Sequence, residues 1–96
     1  MIRSFKDTYS EDLFHGVTTS KTRKIPNDVK NIATRKMDLL NAALDLNDMR
    51  VPPGNRLEKL KGNLKDYFSI RINDQYRIIF QWKNGDAFNV SFIDYH

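Results

Sequence analysis

Residues 60–96, LKGNLKDYFSIRINDQYRIIFQWKNGDAFNVSFIDYH, alternate apolar and polar side chains over long stretches and break at short polar turns. A period of two is that of a strand with one face on a core. Phe68, Ile70 and Ile72 alternate with Ser69, Arg71 and Asn73, and then Tyr76, Ile78, Phe80 and Trp82 alternate with Arg77, Ile79 and Gln81. A three-residue loop, Asn73-Asp74-Gln75, pairs Ile72 with Tyr76 and Ile70 with Ile78, whereas a two-residue turn would mix apolar and polar groups on one face. That register turns Ser69, Arg71 and Arg77 away from the core. Asn84-Gly85 is the strongest hairpin signal, since both central residues of such a turn need positive φ. A last strand, Ala87 to about Ile93, therefore returns beside Tyr76 to Trp82 and delivers Asp94, Tyr95 and His96 near Arg77.

Upstream, residues 56–60 begin the sheet, with Leu57 and Leu60 available to the core and Gly62-Asn63 as a turn. Val51-Pro52-Pro53-Gly54 can continue neither a helix nor an inner strand, because two prolines remove two donors and fix two φ angles. Before it, Val29, Ile32, Ala33, Met37, Leu40, Ala43 and Leu44 recur at helical spacing, with Lys30, Arg35, Lys36, Asp38 and Asn41 largely opposite. Pro26 and Asn27 open this helix of about four turns. Ser10, followed by Glu11 and Asp12, reads as the cap of a short helix that carries Leu13 and Phe14 inward and ends at Gly16. Met1 to Phe5 suits a brief edge strand. Thr18 to Lys24 reads as a solvated loop, although Lys21, Arg23 and Lys24 would also suit a nucleic-acid or partner contact. The fold class is α+β: one domain over 1–96, a C-terminal three-strand meander plus N-terminal strands, with helices packed on one face.

The chain has 96 residues, 40% of them hydrophobic, enough for one core. It has no cysteine, so neither disulfides nor thiolate metal sites hold it. His15 and His96 sit in no metal-ligand spacing, and we expect no metal and no cofactor. The start, MIRSFKD, places charges where a signal peptide needs an apolar run, and no apolar segment approaches the ~20 residues that span a bilayer. A cytoplasmic protein without membrane contact is expected. The net charge is +4; residues 1–48 hold eight basic and seven acidic groups, residues 49–96 eight and five. Three of the four surplus charges thus lie in the sheet half, a modest bias toward a polyanionic or acidic partner.

The polar groups this sheet could gather are Lys61, Arg71, Asn73, Arg77, Asp94 and His96. Guanidinium and ammonium groups grip phosphate oxygens. An imidazole, with an unperturbed pKa of ~6.5, exchanges protons near neutrality. Together they suit RNA cleavage by the 2′-hydroxyl, which needs a base, an acid and cations for the charged phosphorane. Asp94 and His96 would divide the proton work, in an order the residues do not decide. Tyr67 and Tyr95 could stack on bases or simply pack. The plainer alternatives are a solvated face, with Arg71 and Arg77 paired to Asp66 or Asp74, and a frayed terminal histidine. His15 receives no role.

The stretches PPGNRLEKLKG (52–62), SIRINDQYRI (69–78) and IDYH (93–96), with MIRSF at the start, closely resemble the HigB toxins of bacterial type II toxin–antitoxin modules, within the RelE/ParE superfamily. The resemblance covers essentially the whole chain. It implies a small antiparallel sheet with helices on one side. The implied activity is a ribosome-dependent, metal-independent endoribonuclease that cuts messenger RNA in the ribosomal A site. It also implies a HigA-like helix-turn-helix antitoxin as partner, with operator DNA bound only through that antitoxin. Asp94 and His96 fall on the family's acid–base positions, Arg77 on its arginine before the apolar strand, and Lys61 on the lysine of the LKG motif. The chain departs at Asn73, where several relatives carry an arginine; Arg71 shares that strand face and could serve instead. Superfamily members can also poison gyrase, so a non-enzymatic toxin or a plain RNA or protein binder is the alternative.

Overall fold

The computed structural model describes residues 1–95. Its elements are α1 (Thr8–His15), α2 (Asn27–Ala42), β1 (Glu58–Lys59), β2 (Phe68–Arg71), β3 (Tyr76–Lys83) and β4 (Asp86–Asp94). The strands form one antiparallel sheet in the order β1-β2-β3-β4. The expected α+β meander is present, with residues 56–60 supplying its first, two-residue strand.

The apolar sets define the core. Ile70 and Ile72 from β2 and its loop, Ile78 and Phe80 from β3, and Val90 and Phe92 from β4 are buried against Val29, Ala33, Met37 and Leu40 of α2. Ile70 stands opposite Ile78, Arg71 opposite Arg77, and the Ile72 N–H donates to the Tyr76 carbonyl at 3.0 Å, which is the register of the three-residue loop. Asn73 builds that loop: its Oδ1 accepts from the N–H groups of both Gln75 and Tyr76 at 2.8 Å. A side-chain amide that mimics a backbone carbonyl in this way is the usual device of an Asx turn.

The β3–β4 hairpin begins as the Asn84-Gly85 turn requires, with Lys83 opposite Asp86 and Gln81 opposite Phe88. It does not continue regularly. Beyond a bulge, Ile79 stands opposite Ser91 and Arg77 opposite Ile93, so β4 carries one residue more than β3 over the same length. Asn89, at φ 52°, lies in that bulge. Because side chains alternate with period two, one inserted residue exchanges the faces of everything beyond it. Without the bulge Asp94 would share a face with Arg77; with it, Asp94 stands opposite Tyr76 instead.

Four local expectations are corrected. α1 is capped by Asp7, whose carboxylate accepts from the Ser10 N–H at 2.8 Å, and not by Ser10. Ser10 is buried, and its hydroxyl oxygen accepts from the Phe92 N–H at 2.8 Å, docking α1 on β4. Met1 to Phe5 makes no full strand; it meets β4 through two isolated parallel bridges, Ile2 to Ala87 and Phe5 to Val90. Leu44 is 88% exposed, because α2 stops at Ala42 and the Asp48 carboxylate accepts from the N–H groups of Leu44 and Asp45 in the next turn. Ser69, expected outward with the arginines, is buried together with Ile79 and Ser91 in a row across the outer face of the sheet. The Lys6 ammonium lies 5.2 Å from the centre of the Tyr67 ring, bridging from the segment beside β4 to the start of β2. Contact over that span means the sheet is curled, which shelters the middle of its outer face.

Candidate functional site

The end of the sheet where β2, β3 and β4 meet carries most of the expected residues. Arg71 and Arg77 are direct neighbours across β2 and β3. Neighbouring guanidinium groups repel unless anions separate them, and here each has a different solution. Arg71 makes an ion pair with Asp74, whose carboxyl is held below the usual range by that hydrogen bond and by the Arg71 charge. Arg77 instead lies over the ring of Tyr95, 5.3 Å from guanidinium carbon to ring centre. Its Nη1 is buried and has no hydrogen-bond partner among the described residues. A buried guanidinium nitrogen without an acceptor is costly.

Tyr95 joins Arg77 to Lys61. The residue is 45% exposed and lines a cleft of about 310 Å³ with Glu58, Lys59, Leu60, Lys61 and Leu64. Backbone bonds fix this tyrosine in place, its N–H donating to the Gln75 carbonyl at 2.6 Å. A cation–aromatic stack beside a lysine-lined cleft can hold a phosphate and a base at once.

Asp94 lies on the other face. Its carboxylate accepts from Gln75 Nε2 at 3.1 Å, and it stands opposite Tyr76 on the side that carries α1. Tyr9 of α1 feels it: burial raises the phenol's pKa, and the charges of Tyr76, Asp7 and Asp94 add to the rise. The structure therefore brings Arg77, Tyr95 and Lys61 together, places Arg71 next to them but engaged with Asp74, and sets Asp94 at the same sheet end across the strand. Tyr67 lies at the opposite end of β2 under Lys6. Asn73 is committed to its turn through Oδ1. His96, the expected acid–base partner, lies outside the described residues.

Three residues the sequence reading passed over matter here. Gln75 holds both Asp94 and Tyr95. Tyr9 of α1 packs its ring edge-on to Phe92, and the Asp94 charge adds to its raised pKa. Lys36 of α2 donates to the Arg71 carbonyl at 2.7 Å and pins the end of β2; burial, then the charges of Arg71 and Arg35, lower its pKa. None had a local signal, since each acts on a residue distant in sequence or through the loop backbone. No described helix is long and apolar enough to cross a membrane.

Comparison with known proteins places this arrangement. A family model described as the RelE-like toxin of the type II toxin–antitoxin system HigB matches residues 3–96. The chain is 45% identical over 96 residues to Toxin HigB-1 of Vibrio cholerae serotype O1, covering 100% of this chain and 98% of that one. It is 31% identical over 102 residues to Endoribonuclease HigB of Proteus vulgaris, covering both chains completely. The fold is similar to that in the YoeB–YefM complex from Staphylococcus aureus, with a TM-score of 0.60 at 20% identity, covering 100% of this chain and 98% of that one. The chain therefore belongs to the HigB family of RelE-like toxins of type II toxin–antitoxin systems.

Proposed function

We propose that this toxin is an endoribonuclease that cuts messenger RNA in the ribosomal A site and is silenced by a HigA-like helix-turn-helix antitoxin. The observation that carries the reading is the Arg77 guanidinium, stacked on Tyr95 with one buried nitrogen unpartnered among the described residues, beside the Lys61 cleft. The printed name of the Proteus vulgaris relative, an endoribonuclease, supports the activity, and the antitoxin-bound YoeB neighbour supports a protein partner. Operator DNA would be reached only through that antitoxin.

In the proposed reaction the 2′-oxygen of the message forms a bond to the adjacent phosphorus as the bond from phosphorus to the 5′-oxygen breaks. The hydroxyl proton passes to a base and another is delivered to the leaving 5′-oxygen, so the products are a 2′,3′-cyclic phosphate and a 5′-hydroxyl end. Arg77 and Lys61 neutralise the charge that builds on the phosphorane oxygens, a contribution that grows toward the transition state. Tyr95 stacks on a base and keeps Arg77 in place. His96 and Asp94 carry the protons. Asp94, on the other face of β4, is held at the same sheet end by Gln75. Arg71 joins the clamp when phosphate displaces Asp74.

Primer extension on messages from a translating extract tests the reading. The wild type is expected to produce new 5′ ends within codons, and His96→Gln to lose them. Equal cleavage by both removes His96 from the mechanism, and absence of cleavage by either removes the nuclease. A supercoiling assay separates the alternative, since a gyrase poison of this fold would inhibit that reaction and the proposed nuclease would not.

A further inference from the structure

A cleft of about 770 Å³ lies toward the β3–β4 turn and adjoins the Tyr95–Lys61 cleft at Lys59. β2 begins only at Phe68, opposite Phe80, so the following residues of β3 have no strand on that side, and the step opens a groove. Trp82 and Phe88 line it, with Lys59 and Lys83 as its cations and Asp66 as its carboxylate. Lys59 already sits over an aromatic ring there, 5.5 Å from the centre of Phe68.

The floor holds the most unusual backbone of β4. Asn89 adopts φ 52° in the bulge, a left-handed conformation that side chains other than glycine's rarely take within a strand. It is held there by its N–H, which donates to Ser4 Oγ at 2.9 Å, and by its Nδ2, which donates to Gln81 Oε1 at 2.6 Å. That bond consumes the Asn89 donor and the Gln81 acceptor. It leaves Gln81 Nε2 and Asn89 Oδ1, one donor beside one acceptor, on the wall of the groove. A nucleobase edge presents the matching acceptor and donor, and its faces stack on aromatic side chains.

We propose that this groove is a second RNA subsite, in which an unpaired base stacks against Phe88 at the rim that Trp82 closes, is read by the Gln81–Asn89 amide pair, and has its phosphates taken by Lys59 and Lys83. Single-stranded RNA is favoured over a peptide strand by the two lysines against one carboxylate. Along β3 the groove lies about 17 Å from Arg77, a span of a few nucleotides. The subsite would thus select sequence on one side of the cut; it rests on the proposal that the substrate is RNA.

Trp82 is the sole tryptophan, so its emission reports on the groove directly. The experiment titrates full-length protein with short single-stranded 2′-O-methyl oligonucleotides, which cannot undergo 2′-hydroxyl attack and so isolate binding from cleavage. Saturable quenching that depends on base identity is expected. Asn89→Gly, which keeps the left-handed backbone and removes the amide, should weaken it about tenfold. Gln81→Met should do the same at nearly the same volume, and Lys83→Ala should lower the salt slope by about 0.7. Unmoved emission, or unchanged affinity in both amide variants, overturns the subsite. So does emission that responds to an antitoxin peptide but to no oligonucleotide. If messages are still cleaved while Trp82 does not respond, the groove falls and the nuclease reading stands. A Trp82 response without cleavage supports the groove and counts against the nuclease.

Discussion

At Arg71 and Arg77, two identical side chains on neighbouring strands have different fates because one has a carboxylate three residues away and the other has a tyrosine across the strand. Asp74 occupies the Arg71 guanidinium. Asp74→Asn should release that guanidinium and tighten binding of a single-stranded oligonucleotide while steepening its salt dependence. The pH dependence has a fixed sign. Because the folded carboxyl is pulled below its unfolded value of about 3.9, the ion pair is intact above that pH and is lost as pH falls through the lower folded value. Asn73 is a different case. Its Oδ1 takes two backbone donors, so Asn73→Ala should lower stability by about 1 kcal/mol in urea unfolding, and Asn73→Asp should retain most of it. Asn73 thus has a structural use in the β2–β3 loop, which the sequence reading missed by grouping it with the RNA-facing residues.

Among the elements, the β3–β4 hairpin has the largest consequence. Asn84-Gly85 and the alternating pattern made its existence and its start readable, yet its far end was not. The bulge at Asn89 carries no sequence signal strong enough to separate it from a regular strand, and that single residue moves Asp94 from the face of Arg77 to the face of Tyr76. The α1 cap was misplaced for a related reason. Ser10 read as the cap, but its hydroxyl is taken by the tertiary contact with the Phe92 N–H and the helix starts three residues earlier at Asp7. Asp7 also accepts from the Ser91 hydroxyl at 2.8 Å. Asp7→Ala should therefore cost about 1–2 kcal/mol, at the upper end for a cap, measured by chemical denaturation. The α2 stripe was read correctly as core through Ala43, and only the helix end was misplaced. It overran by two residues because the capping turn at Asp45 and Asp48 competes for the backbone donors of residues 44 and 45.

Across the whole molecule, the pairing of the N-terminal segment with β4 joins residues more than 80 apart in sequence. Local pattern suggested an edge strand for residues 1–5 but could not name its neighbour or its parallel direction. Asp86 secures this closure, accepting from the Met1 ammonium at 3.2 Å and Arg3 Nε at 3.1 Å. The Arg3 hydrogen bond is the chief cause of its lowered pKa, so the clasp should hold above pH ~3.9 and open below it. Faster amide exchange at Ala87 and Val90, whose backbone groups bond residues 1–6, would report that opening under acid. The closed sheet carries two grooves that adjoin at Lys59, with Arg77, Tyr95 and Lys61 at one and Trp82 and Asn89 at the other. The central claim concerns the first of these. Single-turnover cleavage of a message on programmed ribosomes, compared between wild type and Arg77→Ala, tests it most directly. The account predicts a loss of about a hundredfold or more with the fold intact by circular dichroism, the scale of removing one donor to a developing oxyanion. A rate within a few fold of wild type would contradict it.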